Sequence, residues 1–160
     1  MSQSIKLYNQ LANHKLFNKT INFDLKRIKL ALKKLNHPER NLSNVIQIIG
    51  SDGKYSVLRA LRYFIEGDKK TVSTHVSPSI ADIRERFWMG NEYLSYAKIK
   101  KTIKIIEKLR IPLTVYEVLT LVFLINASKR NNHFVIQEAG CLWRLDSNNI
   151  LDFPIIQVVV

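Results

Sequence analysis

The chain has 160 residues, of which 46% are hydrophobic, so it is long enough to bury a core and has the composition of one globular domain. Lysine and arginine outnumber aspartate and glutamate by 25 to 13, which gives a formal net charge of +12. Its one cysteine, Cys141, excludes an intramolecular disulfide and favours the cytoplasm. The amino terminus lacks a signal-peptide pattern and the longest apolar run, 118–125, is short, so we expect no membrane partner.

Residues 1–20 carry weak patterning and are interpreted as an N-terminal arm with a short helix, while 21–160 are predicted to form the domain. Two helices are rich in lysine. One starts near Asn22 or Asp24 with Leu25, Ile28, Leu32 and Leu35 inward, and the other covers 93–109 with Ile99, Ile103, Ile106 and Leu109 inward. The lysines lie off these stripes, and the aromatic residues that stacking on nucleic acid requires are sparse. A solvated surface is therefore favoured over a nucleic-acid partner.

The segment 45–58 combines an apolar strand, a glycine-bounded loop and a helix. Val45 to Ile49 surround a single glutamine without clean alternation, which is typical of a strand buried on both faces. The loop 50–56 would point backbone N–H groups and a helix N-terminus at phosphate, with a charge from Lys54 and a hydroxyl from Ser56 for magnesium. The alternative is a plain tight turn, because Tyr55 holds the usual hydroxyl position and Ile48 the usual first glycine position.

The remaining elements predict an α/β fold with a mostly parallel sheet and helices on both faces. Strands are expected at 69–76, 134–136 and 155–160, and the helix after the loop should bury Val57, Leu58, Leu61, Phe64 and Ile65. A helix at 115–127 is apolar nearly all round, so it should lie between layers, where Glu117 needs a partner. Residues 79–92 lack a period and are interpreted as a substrate loop. Polar loops after three strands should converge at one edge of the sheet.

These segments resemble, in order along the chain, the folylpolyglutamate synthases and dihydrofolate synthases of the Mur ligase superfamily. Residues 37–40 read HPER before the strand, residues 50–56 match the family's GTNGKGS, and Ser77-Pro78 match its SPH. Glu85-Arg86 and Tyr116-Glu117 follow, the latter against FE. Residues 138–149 match EVGLGGRLDATN, with Arg144-Leu145-Asp146 at the family's spacing. The last match is the most specific.

The resemblance implies a P-loop type, Mur-ligase-like ATPase domain and an ATP-dependent ligase that joins glutamate to a folate or dihydropteroate carboxylate through an acyl phosphate. It assigns phosphate binding to Gly50, Ser51, Asp52, Gly53, Lys54, Tyr55 and Ser56, and catalytic roles to Lys54 and Glu138. Ser77 and Glu138 would hold Mg²⁺, and the substrate-binding positions would be Thr114, Tyr116, Asp146 and Ser147. Without the resemblance, Glu138 is a capping or turn acid and Asp146 a partner of Arg144.

The chain departs from the family pattern at its loops. Tyr55 stands where the family has glycine, Asp52 where it has asparagine, Ser79 where it has histidine, and Leu142-Trp143 where it has two glycines. The family's magnesium-binding histidine, its modified lysine and its C-terminal domain would lie beyond the last strand, which we expect to be buried. We therefore expect a truncated, incomplete ATP-binding domain, with a separate chain as the source of the missing half. The alternative is an inactive remnant that binds a nucleotide, a pterin or a protein.

Overall fold

The computed structural model describes residues 2–18, 24–140, 146–151 and 154–160. Its helices are α1 (Gln3–Ala12), α2 (Lys26–Lys34), α3 (Lys54–Gly67), α4 (Tyr96–Glu107) and α5 (Val115–Ala127). Its strands are β1 (Phe17–Asn18), β2 (Val45–Ile49), β3 (Val72–His75), β4 (Phe87–Met89), β5 (Leu113–Thr114), β6 (Phe134–Glu138) and β7 (Ile156–Val159). Short 3₁₀ helices cover Pro38–Asn41 and Ile83–Arg86.

The main sheet has the strand order β4-β3-β6-β2-β7. β3, β6, β2 and β7 are parallel to their neighbours, and only β4 runs antiparallel, beside β3. The α/β class and the mostly parallel sheet are confirmed. The first four residues of β2 are buried, as expected of a strand covered on both faces. A second, two-stranded sheet joins β1 to β5.

Two apolar clusters lie on opposite faces of the main sheet. The larger contains α5, whose buried residues run almost without a break from Glu117 to Ala127, together with the inward faces of α1, α2 and α4. The smaller lies between α3 and the sheet and includes Leu58. Leu7 and Leu11 of α1 belong to the larger cluster, so the helix within residues 1–20 packs on the core of the domain.

The partner predicted for Glu117 is present at the start of α5. Glu117 Oε2 accepts a hydrogen bond from the Thr114 backbone N–H at 2.6 Å, and Thr114 Oγ1 accepts one from the Glu117 N–H at 3.1 Å, which forms a capping box. Arg27 of α2 lies 3.4 Å from the other carboxylate oxygen. The buried acid is therefore both hydrogen-bonded and charge-paired, as a buried carboxylate requires.

Three expectations from the sequence are wrong. Residues 79–92 are not a loop throughout, because Ile83–Arg86 is a 3₁₀ helix and β4 pairs with β3. Phe64 is 76% exposed rather than buried. β7 is an edge strand, with Val159 74% exposed, rather than a buried one. A three-residue strand is too short to show a period, and an apolar edge strand has the composition of a buried one.

The lysine-rich helices are shorter than predicted. α4 begins after Ser95, whose Oγ accepts a hydrogen bond from the Lys98 N–H, and the Asp24 carboxylate accepts one from the Lys26 N–H at the start of α2. Asn22, the other cap candidate, lies outside the described residues. The inward residues Ile28, Ile99, Ile103 and Ile106 are buried as predicted. No helix in the described ranges is long and apolar enough to cross a membrane.

The two faces of α3 predict unequal costs for replacing an apolar side chain. Leu58 is 2% exposed, so Leu58→Ala should lower the free energy of unfolding by about 2 to 4 kcal/mol through lost burial and a residual cavity. Phe64→Ala on the exposed face should change it by less than about 0.5 kcal/mol. Urea unfolding followed by circular dichroism measures both. An equal loss for the two variants would place Phe64 in the core after all.

Candidate functional site

The carboxyl ends of β2, β3 and β6 meet at one edge of the sheet. The loop 50–53 follows β2, Ser77 follows β3, and Glu138 is the last residue of β6, where it pairs in register with Ile48 of β2. Glu138 Oε2 accepts a hydrogen bond from the Ser77 N–H at 3.0 Å. The expected convergence of the loops is therefore present, and Ser77 and Glu138 are in direct contact.

The loop after β2 depends on two glycines. Gly50 has φ 137° and Gly53 has φ 77°, backbone conformations that other residues adopt only with strain. A Cβ at Gly50 would also lie 1.8 Å from the Val160 carbonyl oxygen, so the loop fits closely against the residue that follows β7. Both glycines are thus required by the geometry of this turn.

The N-terminus of α3 faces this loop without a side-chain cap among the described residues. The Val57 N–H bonds to the Gly53 carbonyl at 3.0 Å, so the N–H groups of Lys54, Tyr55 and Ser56 precede the first helical hydrogen bond. Three donors and the positive end of the helix dipole are therefore available to an anion at this position.

The side chains of residues 51–56 differ in their exposure and in the groups that they contact. Lys54 Nζ donates hydrogen bonds to the Gly50 and Ser51 carbonyl oxygens at 2.9 and 2.8 Å, so the ammonium group lies over the loop itself. Ser51, Asp52 and Ser56 are exposed. Tyr55 is 40% exposed, and its ring lies 5.8 Å from the Arg59 guanidinium carbon one turn along α3. The aromatic group therefore extends along the helix.

Glu138 and Ser77 present oxygen atoms suited to a divalent cation. Glu138 is 5% exposed, and burial raises the pKa of its carboxyl, while the Ser77 N–H, Lys54 and Arg86 all favour the charged form. Ser77 Oγ accepts a hydrogen bond from Arg86 Nη1 at 2.9 Å and keeps a second lone pair. No cluster of three or more His, Cys, Asp or Glu suited to a metal occurs in the described part of the chain. Two hard oxygens fit Mg²⁺, which usually keeps waters and substrate phosphates as its other ligands.

A row of polar side chains crosses the sheet next to this site. Gln157, Gln47, Gln137 and His75 are register partners on β7, β2, β6 and β3. Gln157 Nε2 donates to Gln47 Oε1 at 3.1 Å, which links the edge strand to the interior. His75 is fully buried and stacks on Phe87 and Phe123, and its ring nitrogens make no hydrogen bond of ordinary geometry with the described residues, Asn148 being the polar neighbour. Burial and the charge of Arg86 lower the pKa of His75 to about 3, so the ring is neutral.

Asn148 connects this row to the loop that follows β6. Its Oδ1 accepts from Gln137 Nε2 at 2.5 Å, its backbone carbonyl accepts from Gln47 Nε2 at 3.2 Å, and its Nδ2 donates to the Tyr116 hydroxyl and the Glu138 carbonyl oxygen at 2.8 and 2.7 Å. Asn148 is 1% exposed, so each bond replaces one to water that burial removes. It is the connection point between the sheet, α5 and the loop.

The four predicted substrate-binding residues are only partly brought together. Tyr116, in the first turn of α5, and Asp146 both bond to Asn148, the latter through an N–H to Oδ1 contact of 2.8 Å. The hydroxyls of Ser147 and Thr120 are 3.1 Å apart. Thr114 instead caps α5, so its hydroxyl is already used. A Cβ at Gly140 would lie 2.3 Å from Asp146 Oδ2 and 3.4 Å from the Tyr116 hydroxyl, so these polar groups pack directly against the Gly140 backbone.

Sequence reasoning gave no role to Asn148, Gln137, His75 or Arg86. In the sequence, Gln47 stands out as the one polar residue in an apolar strand, and a glutamine likewise interrupts the apolar residues of β6 (Gln137) and β7 (Gln157). Their alignment requires the strand register, which a single sequence does not contain. Residues 141–145 lie outside the described part, and with them the sole cysteine, the Leu142-Trp143 departure and the pairing of Asp146 with Arg144.

Asp146 predicts a measurable pH dependence of stability. Burial raises the pKa of its carboxyl from 3.8 to about 6, although hydrogen bonds from the Asn148 and Gly140 N–H groups lower this pKa. The folded chain therefore holds a proton that the unfolded chain releases, and the free energy of unfolding should fall by about 1 to 3 kcal/mol as pH rises from about 4 to 6. Asp146→Asn should remove this decrease. Urea unfolding of both proteins between pH 4 and 7 measures the difference.

The comparison between variants is needed because His75 acts in the opposite direction. The folded chain keeps His75 neutral down to about pH 3, so stability is lost as pH falls below 6.5. Asp68→Asn is a suitable control, since Lys70 lowers the pKa of this exposed acid and its removal should leave the decrease between pH 4 and 6 in place. Parallel curves for Asp146→Asn and wild type would contradict the prediction.

Comparison with known proteins gives a consistent result. No protein-family model matches the chain. The chain is 27% identical over 144 residues to the dihydrofolate synthase/folylpolyglutamate synthase of Bacillus subtilis, an alignment that covers 84% of this chain and 33% of the relative. It superposes on the Escherichia coli FolC structure in complex with DHPP and ADP with a TM-score of 0.84 and 28% identity, covering 99% of this chain and 38% of FolC.

A bifunctional folylpolyglutamate synthase/dihydrofolate synthase structure with Mn, AMPPNP and L-glutamate bound gives a TM-score of 0.86 at 24% identity, covering 99% of this chain and 38% of that one. This likeness concerns the fold alone. The chain spans about a third of the length of the relatives it matches. The chain is thus similar to the folylpolyglutamate and dihydrofolate synthases, in sequence and in fold, over about a third of their length.

Proposed function

We propose that the chain is the nucleotide- and acid-binding part of an ATP-dependent ligase that adds glutamate to a folate or dihydropteroate carboxylate, acting in the cytoplasm. The observation that carries this proposal is the position of the buried Glu138 carboxylate beside Ser77. Both lie at the carboxyl end of the parallel strands, where the uncapped helix α3 begins. An isolated turn acid would not need two glycines with positive φ and three uncapped N–H donors beside it.

The nucleotide phosphates would bind at the N-terminus of α3. The N–H groups of Lys54, Tyr55 and Ser56 provide the donors, and the Lys54 ammonium adds a charge once it leaves the loop carbonyls that it now contacts. The proposal therefore includes a movement of one side chain, with Gly50 and Gly53 holding the backbone in place. The Lys54 contacts replace the phosphate oxygens that the group would otherwise bind.

Mg²⁺ would be held by Ser77 Oγ and Glu138, and when bound it neutralises phosphate charge at the transferred group. Binding requires the ionised carboxylate of Glu138. Lys54, Arg86 and the Ser77 N–H favour that form against the burial that raises the pKa of this acid. The Glu138 carboxylate is therefore buried beside neighbours that favour its charged form.

The pterin ring would bind near Tyr116 and Asp146. Asp146 is buried and its carboxylate accepts from the Asn148 and Gly140 N–H groups, and its remaining lone pairs could accept the paired N–H groups of a nitrogen heterocycle. The Tyr116 ring lies within 6.4 Å of the His75 ring, which adds an aromatic neighbour. FolC binds DHPP, a fact about that relative that agrees with the assignment.

The proposed reaction has two steps. A carboxylate oxygen of the acid attacks the γ-phosphorus of ATP, the bond from that phosphorus to the β,γ-bridging oxygen breaks, and ADP leaves with the electron pair. The glutamate nitrogen then attacks the acyl carbon, phosphate leaves and the nitrogen loses a proton. Residues of this chain would contribute positioning and charge neutralisation, which supply most of the catalysis in phosphoryl transfer.

The second candidate function is binding without turnover, alone or beside a separate chain that completes the domain. Asp52 is the observation that favours it, because a carboxylate next to a triphosphate is repulsive by about 1 to 4 kcal/mol for unit charges roughly 4 Å apart. The measured affinity for nucleotide distinguishes a loop that binds triphosphate well from one in which Asp52 weakens binding.

Substitutions in the loop should change affinity for magnesium-ATP. Asp52→Asn with Tyr55→Gly removes a like charge and an aromatic group, and affinity should increase about tenfold or more. Lys54→Ala in that background should reverse the gain. Isothermal titration calorimetry on the three proteins, each first shown to unfold cooperatively, gives the dissociation constants.

Tyr63→Ala is the matched control for the loop variants. Tyr63 is also exposed and its ring also contacts Arg59, but it lies about two turns beyond Tyr55 along α3. Its loss should therefore leave nucleotide affinity unchanged. An unchanged affinity in the folded double variant would mean that residues 50–56 form only a turn, and the nucleotide assignment would be wrong.

Residues 1–160 alone should release no ADP above background when incubated with magnesium, ATP, glutamate and dihydropteroate or tetrahydrofolate. The reason is that the described residues provide only two metal ligands, and the chain spans about a third of its relatives. A coupled ADP assay, with the Bacillus subtilis relative as positive control, measures this. Turnover near 1 per second, which is ordinary for an enzyme, would show that these residues suffice.

A further inference from the structure

Arg86 is a buried cation to which the proposed function assigns no ligand. It ends the 3₁₀ helix before β4 and is 6% exposed. Its Nη1 donates to Ser77 Oγ, and its Nε has no hydrogen-bond partner in the described part of the chain. The two acids of the same segment are used elsewhere, since Asp82 pairs with Arg84 and Glu85 accepts from the Ile80 and Ala81 N–H groups. Arg86 forms no ion pair with any described carboxylate.

A buried charge without an ion pair in direct contact is costly. Removing a guanidinium group from water carries a penalty of about several kcal/mol, which a paired anion normally offsets. The ring of Tyr8, whose centroid lies 5.8 Å from the Arg86 guanidinium carbon, gives only a weak cation–π contact at that distance. The remaining N–H donors of this side chain are therefore suited to an anion that arrives with a ligand.

The position of Arg86 indicates which anion this is. On one side it bonds to Ser77, which contacts Glu138 at the proposed metal position. On the other side its backbone carbonyl accepts from the Val76 N–H at 3.2 Å, next to His75, whose ring lies 6.4 Å from the Tyr116 ring. Arg86 thus lies between the proposed metal site and the proposed ring-binding residues, whereas the phosphate donors of α3 belong to the loop after β2.

We propose that Arg86 binds the oxyanion of the acyl donor, meaning the ligand carboxylate and then the acyl phosphate formed from it. This inference rests on the proposed function and adds a positioning role to it. A guanidinium fork matches a carboxylate with two parallel hydrogen bonds and would reduce the repulsion between that carboxylate and the approaching triphosphate. The bond to Ser77 fixes the guanidinium plane beside the metal position.

The test uses two ligands that share the pterin and aniline rings and differ in the carboxylate. Dihydropteroate carries the acid, and 6-anilinomethyl-7,8-dihydropterin lacks only that group. Calorimetry on wild type should show affinity for dihydropteroate at least about tenfold higher than for the analogue, a ratio that Arg86→Met should abolish while binding of the analogue remains. Arg84→Met is the matched control, because Arg84 belongs to the same 3₁₀ helix but is partly exposed and paired with Asp82. It should retain the wild-type ratio.

Ligand-free stability provides a second readout. If Arg86 binds a ligand anion, Arg86→Met should unfold at the same urea concentration as wild type or a higher one, since a buried charge without a direct ion pair is removed. A structural arginine would instead give a large loss. Arg86→Gln keeps a donor for Ser77 and serves as the second variant. Failure of both variants to fold would overturn the proposal, because the fold itself would then require the arginine.

Retention of the carboxylate preference in Arg86→Met would also overturn the proposal. If wild type binds neither pterin, the proposed substrate class is wrong, and inorganic phosphate then tests Arg86 independently. A rise in melting temperature with phosphate in wild type and Arg84→Met, but not in Arg86→Met, would still assign an oxyanion site to Arg86. The same rise in all three would reject it.

Discussion

The burial of polar side chains inside the sheet is the constraint on which the site depends. Gln47, Gln137 and His75 lie in one register row under α5, where an unpaired amide is costly to bury. Asn148 satisfies much of this demand and, in doing so, fixes the loop after β6 against Tyr116 and the Glu138 backbone. The loop therefore has a defined position because the sheet requires a hydrogen-bonding partner there. Apolar residues in the row would leave that loop without its anchor.

The sheet class could be predicted from the sequence because its strands are apolar and alternate with helices of clear period. β2 and α5 are the strongest cases, since a strand or helix buried on all sides has a continuous apolar composition. The same property explains the errors. β7 has the composition of a buried strand but lies at the sheet edge, and Phe64 continues the apolar pattern of α3 past the point where the sheet covers it. The composition of a segment shows how apolar it is, whereas its burial depends on which elements of the fold pack against it.

Part of the site could be predicted because loops after parallel strands meet at one edge. Ser77 and Glu138 are in contact as that rule requires. The roles of Thr114 and Arg86 could not be predicted, because they depend on which atoms the fold places next to them. The Thr114 hydroxyl is used in the capping box of α5. Arg86 contacts Ser77, which follows β3, and Tyr8 of α1, and these two elements are distant in sequence. Hydrogen-bond partners at long sequence separation carry this information.

The charges around Glu138 form a set that its ligands would complete. The acid is buried beside two cations, Lys54 from the loop and Arg86 from the 3₁₀ helix, and each favours its ionised form. In the proposed function, triphosphate, carboxylate and Mg²⁺ would enter together, so the negative charge of the ligands would meet these cations and the metal. One buried acid beside two cations leaves a positive excess that suits an anionic pair of substrates.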